Sequence, residues 1–223
     1  MRYFIYNSPA FKSYLDSSSH VRGEVEFLRL ITRKGMVGMD IGGNVGVTTV
    51  TMAKEIGEEG KVYAFEPNPG NIETLKRNLA INGLKNVKLI QMAVSDKVGE
   101  VDFYGSTIIP EEGAQKRIVK TTSLDAFALE EGLEKVDLIN MDCEGSELLV
   151  LRGAEKTLQN NDVKIFCEVH HGFLERLGQS VQDIVSYLEG LGFQVYGVSL
   201  EDLSLKEEID KPEYIFAAKR LDL

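Results

Sequence analysis

The run Asp40-Ile41-Gly42-Gly43-Asn44-Val45-Gly46 constrains this chain more than any other stretch. An apolar run, MVGMDIG at 36–42, leads into it, and apolar residues at helical spacing follow from Val45 to Ile56. A strand that turns this abruptly into a helix needs glycine wherever the backbone takes positive φ or approaches a ligand closely. The pattern therefore predicts a strand–turn–helix unit of an α/β sheet. In such sheets, ligands bind outside the carboxyl ends of the strands.

The same rhythm continues along the chain. KVYAFEP (61–67) predicts a second strand, and Asn71 to Ile81 a helix that stops at Asn82-Gly83. Further strands are predicted at VKLIQMAV (87–94), VDLINMD (136–142), VKIFCEV (163–169), FQVYGVS (193–199) and EYIFAAK (213–219). Helices are expected from about Ser146 to Leu158 and from Val181 to Leu191. The strands are nearly continuous apolar runs, as a parallel sheet covered on both faces requires. Alternating βαβ units with right-handed crossovers give an open, doubly wound α/β sheet.

Two segments break the rhythm. Residues 1–35 hold a helix over about His20 to Thr32 and read as a cap or lid segment preceding a main domain at 36–223. Residues 100–123 read as a β-hairpin inserted after the third strand, with Pro110 and Gly113 in a polar tip suited to a lid or substrate loop.

Composition narrows the functional classes. The net charge is −10, whereas phosphate backbones are held mainly by Lys and Arg, so long nucleic acids are poor ligands for this chain. Two cysteines, Cys143 and Cys167, are too few for a disulfide framework and match no zinc spacing. No apolar run is long enough to cross a bilayer, and the N-terminus lacks a signal-peptide pattern. A cytoplasmic protein without membrane contact is the expectation.

Glu66 stands twenty residues after Gly46, at the end of the second strand. A carboxylate there accepts hydrogen bonds from ribose hydroxyls. A dinucleotide fingerprint, G-x-G-x-x-G, fails twice, because Asn44 and Val47 occupy its later glycine positions. Asp40 would also repel a pyrophosphate, while it suits the cationic ammonium of a methionine moiety. A bare strand–helix turn would explain the glycines but not Glu66.

DIGGNVG (40–46), AFEPNP (64–69), AVSD (93–96), TTSLDAF (121–127), MDCEGSELLVLRGAEKTL (141–158) and CEVHH (167–171), in this order and spacing, resemble FkbM-type class I S-adenosylmethionine methyltransferases. The resemblance spans residues 36–218. It implies a Rossmann-like sheet of seven strands, mostly parallel, with an antiparallel last strand. It also implies O-methylation of a hydroxyl on a saccharide or natural-product-like acceptor, with S-adenosylmethionine as cofactor. Asp40 and the loop of Gly42, Gly43, Asn44 and Gly46 would hold the amino-acid end of the cofactor. Glu66 would bind the ribose, with Pro67 and Asn68 beside the adenine. Met92, Ala93, Ser95 and Asp96 would frame the adenine edge, and Asp142 would lie below the sulfonium. Ser95 and Asp96 read equally well as a turn or cap. Gly43 departs from the alanine common in the family, and the N-terminal region departs more, which bears on the acceptor.

The candidates for acid–base work cluster at two strand ends, Asp142 with Glu144 and Glu168 with His170 and His171. Histidine titrates nearest neutral pH, so His170 is the expected base, with Asp142 and Glu168 as its catalytic companions. A capping or core role accounts for either histidine as well. Asp142, Glu168 and His170 also form a ligand set for a hard divalent cation. Helix capping by Glu144 and simple carboxylate positioning explain the same residues without one, so no metal is the first expectation. Cys143 and Cys167 read as small buried residues.

Competing readings are a nucleic-acid or protein methyltransferase, a non-catalytic S-adenosylmethionine-binding module and a dehydrogenase. Met141-Asp142-Cys143-Glu144 lacks the Asn/Asp-Pro-Pro-aromatic pattern of base N-methylation. The expected partner is a small-molecule or saccharide acceptor, and a homodimer stays open.

Overall fold

The computed structural model describes residues 19–110 and 112–221, with the side chains of Ser19 and His20 outside that set. The first eighteen residues of the expected cap segment thus lie outside the described residues, as does the side chain of His20.

The chain runs α1 (Ser19–Ile31), β1 (Val37–Ile41), α2 (Val47–Ile56), β2 (Lys61–Phe65), α3 (Pro69–Ile81), β3 (Val87–Ile90) and β4 (Ala93–Val94). It continues through β5 (Gly99–Tyr104), β6 (Lys116–Thr122), α4 (Leu124–Glu130), β7 (Leu138–Met141), α5 (Glu147–Arg152) and α6 (Glu155–Asn160). It closes with β8 (Lys164–Glu168), α7 (His171–Arg176), α8 (Val181–Gly190), β9 (Gln194–Val198), β10 (Leu205–Lys206) and β11 (Tyr214–Ala218). The main sheet has the order β10-β9-β11-β8-β7-β1-β2-β3. Strands β3, β2, β1, β7 and β8 are mutually parallel, and β11 runs antiparallel to β8 and β9.

This is the expected α/β architecture with its antiparallel last strand. The sheet has eight strands instead of seven because Leu205 and Lys206 pair with Gly197 and Val198 at the edge. Two residues with no apolar alternation give no strand signal in sequence.

Neighbouring positions on each strand serve opposite faces, which is why the runs are continuously apolar. Ile139, Ile165 and Cys167 face a core shared with Leu151, Leu158 and Ile184. Leu138 and Phe166 face the other core, with Phe27 of α1 and Met52 of α2. Phe27 packs 4.8 Å from Phe166 and 5.7 Å from Phe216, ring centre to ring centre. Helix α1 thus lies on one face of the sheet beside α2. Its Glu24 accepts a hydrogen bond from Tyr214 Oη at 3.3 Å. Among the described residues no helix is long and apolar enough to cross a membrane.

Local chemistry sets the element ends. Asn68 accepts from Gly70 N–H ahead of Pro69, a proline–cap start for α3. Ser180 and Asp183 form a reciprocal capping box on α8.

Two expected elements divide. The predicted strand 87–94 breaks after Ile90, because Ala93 and Val94 leave the main sheet and pair with Thr121 and Thr122 of β6. The inserted hairpin is therefore part of a second sheet, β4-β6-β5. The predicted helix 146–158 breaks at Gly153-Ala154 into α5 and α6. At Gly153 the backbone runs against the turn after β4, and a Cβ there would sit 2.1 Å from the Ser95 carbonyl oxygen. Only glycine fits this approach. Gly153→Val is expected to lower the unfolding free energy in urea by more than about 2 kcal/mol, and an unchanged midpoint would mean the two segments are not in contact.

Candidate functional site

The carboxyl ends of β1, β2 and β7 open onto a solvent-open cavity, with about 630 Å³ of empty space counting the open solvent at its mouth. Its floor is the loop after β1. Gly42 and Gly46 take φ of 85° and 98°, and Asn44, which is not a glycine, takes 45°. A Cβ on Gly42 would lie 1.8 Å from the Asp142 carbonyl oxygen, so the loop presses directly against the end of β7. The Gly42 and Gly43 amides both donate to the Phe65 carbonyl, at 3.0 and 2.9 Å, which ties the same loop to β2.

Glu66 lines this cavity and is only 5% exposed. Its Oε2 accepts the Asn44 N–H at 2.9 Å and its Oε1 the Asn68 N–H at 2.7 Å. The carboxylate is thus held from behind by backbone donors while its remaining lone pairs face the cavity. Burial pushes its pKa up, and those amides and the Asn71 side chain pull it back.

Asp40 takes a different place. It is fully buried and does not line the cavity. Its Oδ2 accepts from Thr48 Oγ1 at 3.0 Å and from the Thr49 hydroxyl, and its Oδ1 accepts Asn140 Nδ2 at 2.8 Å. Burial raises its pKa, against the pull of these three donors. A buried carboxylate persists when it is hydrogen-bonded in this way. Asp40 therefore acts on the site through the loop it anchors.

Pro67, Asn68, Met92 and Ala93 line the cavity as expected, with Gly42, Asn44 and Asp142. Gly43 and Gly46 belong to the loop but not to the lining. Ser95 and Asp96 stand outside it, in the turn after β4, where Ser95 Oγ donates to Asp96 Oδ1 at 3.1 Å and Ser95 N–H to the Thr122 carbonyl at 2.9 Å.

The insertion supplies lining that residue type alone did not announce. Phe103, Gly105, Ser106 and Ile108 form one wall. Thr107, fully buried, donates its hydroxyl to the Glu144 carbonyl at 2.7 Å, and Arg176 of α7 bonds the Pro110 carbonyl. The insertion is thereby fastened to the loop after β7 and to the helix after β8.

Asp142, Glu144, Glu168 and His170 converge at the ends of β7 and β8. Nε2 of His170 is 3.5 Å from Asp142 Oδ1, 3.5 Å from Glu144 Oε2 and 3.7 Å from Glu168 Oε1. The other ring nitrogen, Nδ1, is 2.8 Å from Oε1 of Glu147, whose side chain is wholly buried. That Oε1 also accepts the Gly145 N–H at 3.1 Å. With Nδ1 carrying the proton, the ring donates to this Glu147 oxygen.

Burial alone would lower the pKa of His170, but the Glu147 hydrogen bond and the charges of Asp142, Glu147 and Glu144 outweigh it and push the value up to about 9. Burial and the neighbouring Glu168 push Asp142 well above the usual carboxylate range, with the His170 charge opposing them. His171 is directed elsewhere, with its Nε2 2.9 Å from the Pro212 carbonyl oxygen. The Cys143 and Cys167 thiols are pushed well up by burial, which leaves them without thiolate character.

Glu147 and Asn140 are the functional partners that residue type concealed. Glu147 follows Glu144 by three residues, one helical turn, and Asn140 precedes Asp142 by two, on the same side of an extended strand. Those spacings were the available signal.

Residues 40–195 match the Methyltransferase FkbM domain. The chain is 29% identical over 162 residues to the hexuronic acid methyltransferase AglP of Haloferax volcanii, covering 68% of this chain and 64% of that protein. It is 26% identical over 164 residues to the 2-O-methyltransferase NoeI of Sinorhizobium fredii, covering 63% and 66%. The chain thus spans somewhat under two thirds of the length of both relatives. Its fold is similar to the crystal structure of methyltransferase FkbM from Methylobacillus flagellatus, with a TM-score of 0.57, 14% identity, and coverage of 86% of this chain and 50% of that one.

The His170 assignment is directly measurable. In chelator-treated protein, the imidazole carbon resonances of His170 should titrate near pH 9, and Glu147→Gln should move that midpoint down toward 6.5. A wild-type midpoint near 6.5 would contradict the ring's placement among these acids.

Proposed function

The chain belongs to the FkbM methyltransferase family, and on that premise we propose that it transfers a methyl group from S-adenosylmethionine to a hydroxyl of a saccharide or small natural-product-like acceptor. The observation that carries the reading is one cavity with Glu66 at one side and Asp142 at the other, each at the carboxyl end of its strand.

The residues present fit an adenosyl group with an amino-acid tail. Gly42 lets the loop lie against the end of β7 beneath the cavity, where a Cβ would collide with the Asp142 carbonyl, and Glu66 presents two oxygens steadied by amides. Phe65, Met92, Phe103 and Ile108 supply apolar walls for a flat base. In this reading Glu66 takes the ribose hydroxyls, Pro67, Asn68, Met92 and Ala93 border the adenine, and the Gly42–Gly46 loop receives the amino-acid end. Asp40 serves that end by fixing the loop. Bound there, S-adenosylmethionine supplies a methyl already activated on a sulfonium.

What remains for the protein is to hold the acceptor in line and take its proton. Positioning of that kind can supply about 7–11 kcal/mol of barrier reduction, and a general base adds roughly 10²- to 10⁴-fold. We assign the proton to Asp142, which lines the cavity and whose pKa burial raises toward the range of a working base. His170 holds its own proton up to about pH 9, so it is a poor acceptor at neutral pH. It contributes positive charge beside Asp142, with Glu168 as the third member. The insertion wall is the part that would shape the acceptor pocket. A relative named as a hexuronic acid methyltransferase supports a saccharide-like acceptor, and one named as a 2-O-methyltransferase supports an oxygen nucleophile.

Titration calorimetry with S-adenosylhomocysteine tests the cofactor half. Glu66→Ala should weaken binding roughly 10- to 100-fold, the worth of hydrogen bonds to a charged group, and an unaltered affinity would remove Glu66 from the site. The acceptor half is tested on a panel of sugars and hydroxylated natural products. Turnover of the panel member that accepts methyl should drop about 10²- to 10⁴-fold in Asp142→Asn, while a full rate would assign the base elsewhere.

A further inference from the structure

We propose that Asp142, Glu168 and His170 hold a hard divalent cation at the ends of β7 and β8, with Glu144 beside them. The use of that cation in catalysis rests on the methyl transfer proposed above; its binding does not.

Three features of the cluster carry the inference. The first is spacing. One ligand atom each from Asp142, Glu168 and His170 lies within 4.8 Å of the other two. Ligands set at right angles around a cation at about 2.1–2.5 Å stand roughly 3.0–3.5 Å apart, and opposed ligands roughly 4.2–5.0 Å apart. The Nε2–oxygen separations of 3.5, 3.5 and 3.7 Å agree with the first range or exceed it slightly. They are too long for normal hydrogen bonds, so Nε2 faces three acids without bonding any of them closely.

The second feature is the orientation of the ring. Nδ1 is engaged at 2.8 Å by Glu147, which is wholly buried and reaches no solvent. Metal-bound histidines almost always pass their other N–H to a carboxylate or carbonyl in this manner, which fixes the tautomer and aims Nε2 at the ion; the cation displaces the Nε2 proton to solvent and takes over the positive charge that the ring otherwise carries beside Asp142. The second oxygen of Glu147, Oε2, is buried with no hydrogen-bond partner. Burying a carboxylate only half satisfied is costly, and its charge gains most if a cation stands on the far side of the ring it holds.

The third is the backbone. Strands β7 and β8 are parallel with Met141 opposite Cys167, so Asp142 and Glu168 leave the sheet side by side. Glu144 comes back toward them because its own backbone takes φ of 49°, a left-handed conformation for a residue other than glycine. Carboxylate oxygens in the majority with one imidazole select Mg²⁺ or Mn²⁺ over softer ions. Such an ion, next to the acceptor, lowers the pKa of a coordinated hydroxyl and orients it.

The test uses the full chain, stripped with chelator and titrated with Mn²⁺ while free Mn²⁺ is read by electron paramagnetic resonance. One ion per chain is expected. Glu168→Gln should weaken it at least tenfold, and Glu147→Gln, which touches no ion, about 10- to 100-fold. Both variants are checked for folding by circular dichroism, and Glu168→Asp provides a carboxylate-retaining control that should bind more tightly than Glu168→Gln. No binding at millimolar Mn²⁺ overturns the proposal. So does an affinity that Glu168→Gln and His170→Ala both leave at the wild-type value, since the ion then sits elsewhere. S-adenosylhomocysteine affinity is measured in chelator on the same samples. Mn²⁺ binding without S-adenosylhomocysteine binding would leave the cation site standing and remove the methyltransferase reading.

Discussion

The carboxylate of Asp40 holds the site together from below. An ionised group with no solvent contact costs several kcal/mol unless its oxygens are satisfied. Here they are satisfied by Thr48, Thr49 and Asn140, which belong to the helix that follows and the strand alongside. That one group therefore joins the end of β1 to the first turn of α2 and to β7. The turn between them is forced into positive-φ backbone at Gly42, Asn44 and Gly46. Its amides fall on the Phe65 carbonyl and on Glu66. Without the anchor, Glu66 would lose its Asn44 donor and the cavity its floor.

A second electrostatic arrangement lies above the first and has the opposite character. Asp40 is an acid surrounded by neutral donors. His170 is a base surrounded by acids. For His170 desolvation is the largest single influence and favours the neutral ring, yet the summed attraction of Glu147, Asp142 and Glu144 exceeds it. The acids gathered at that end of the sheet are the basis of the proposed cation site, and they bear on the acceptor too. A polyol can donate hydrogen bonds to these acids, whereas an anionic group placed among them would meet like charges in a medium of low dielectric. The insertion is fastened to this region through Thr107 and Pro110.

The parts of this layout that follow from backbone constraint were readable in the sequence. Asp40 to Gly46 had to be a strand–helix turn because only glycines permit it, and Glu66 had to face the same opening because it ends the adjacent strand. The apolar runs of β7 and β8 implied neighbours on both faces, hence parallel strands with Asp142 and Glu168 side by side. What stayed hidden depends on contacts far apart in the chain. The break after Ile90 arises because Ala93 and Val94 find a better partner in β6, about thirty residues later. The break at Gly153 arises from the Ser95 carbonyl on another loop. Asp40 was legible as a site residue, but its three donors were not, so its burial among them, away from the cavity lining, was not readable. Glu147 looked like an ordinary first-turn acid of a helix, and its hold on His170 is visible only when β8 lies alongside.

Glu66 and the loop anchored by Asp40 are proposed to form a receptacle for an adenosyl group. The most direct measurement is a crystal structure of the protein grown with S-adenosylhomocysteine. The ribose hydroxyls should lie about 2.6–3.0 Å from the Glu66 oxygens, within charge-assisted hydrogen-bond range, with the Asp40 carboxylate still bonded to Thr48, Thr49 and Asn140. An adenosyl ligand seated away from Glu66, or density absent from the cavity at saturating ligand, would contradict the account.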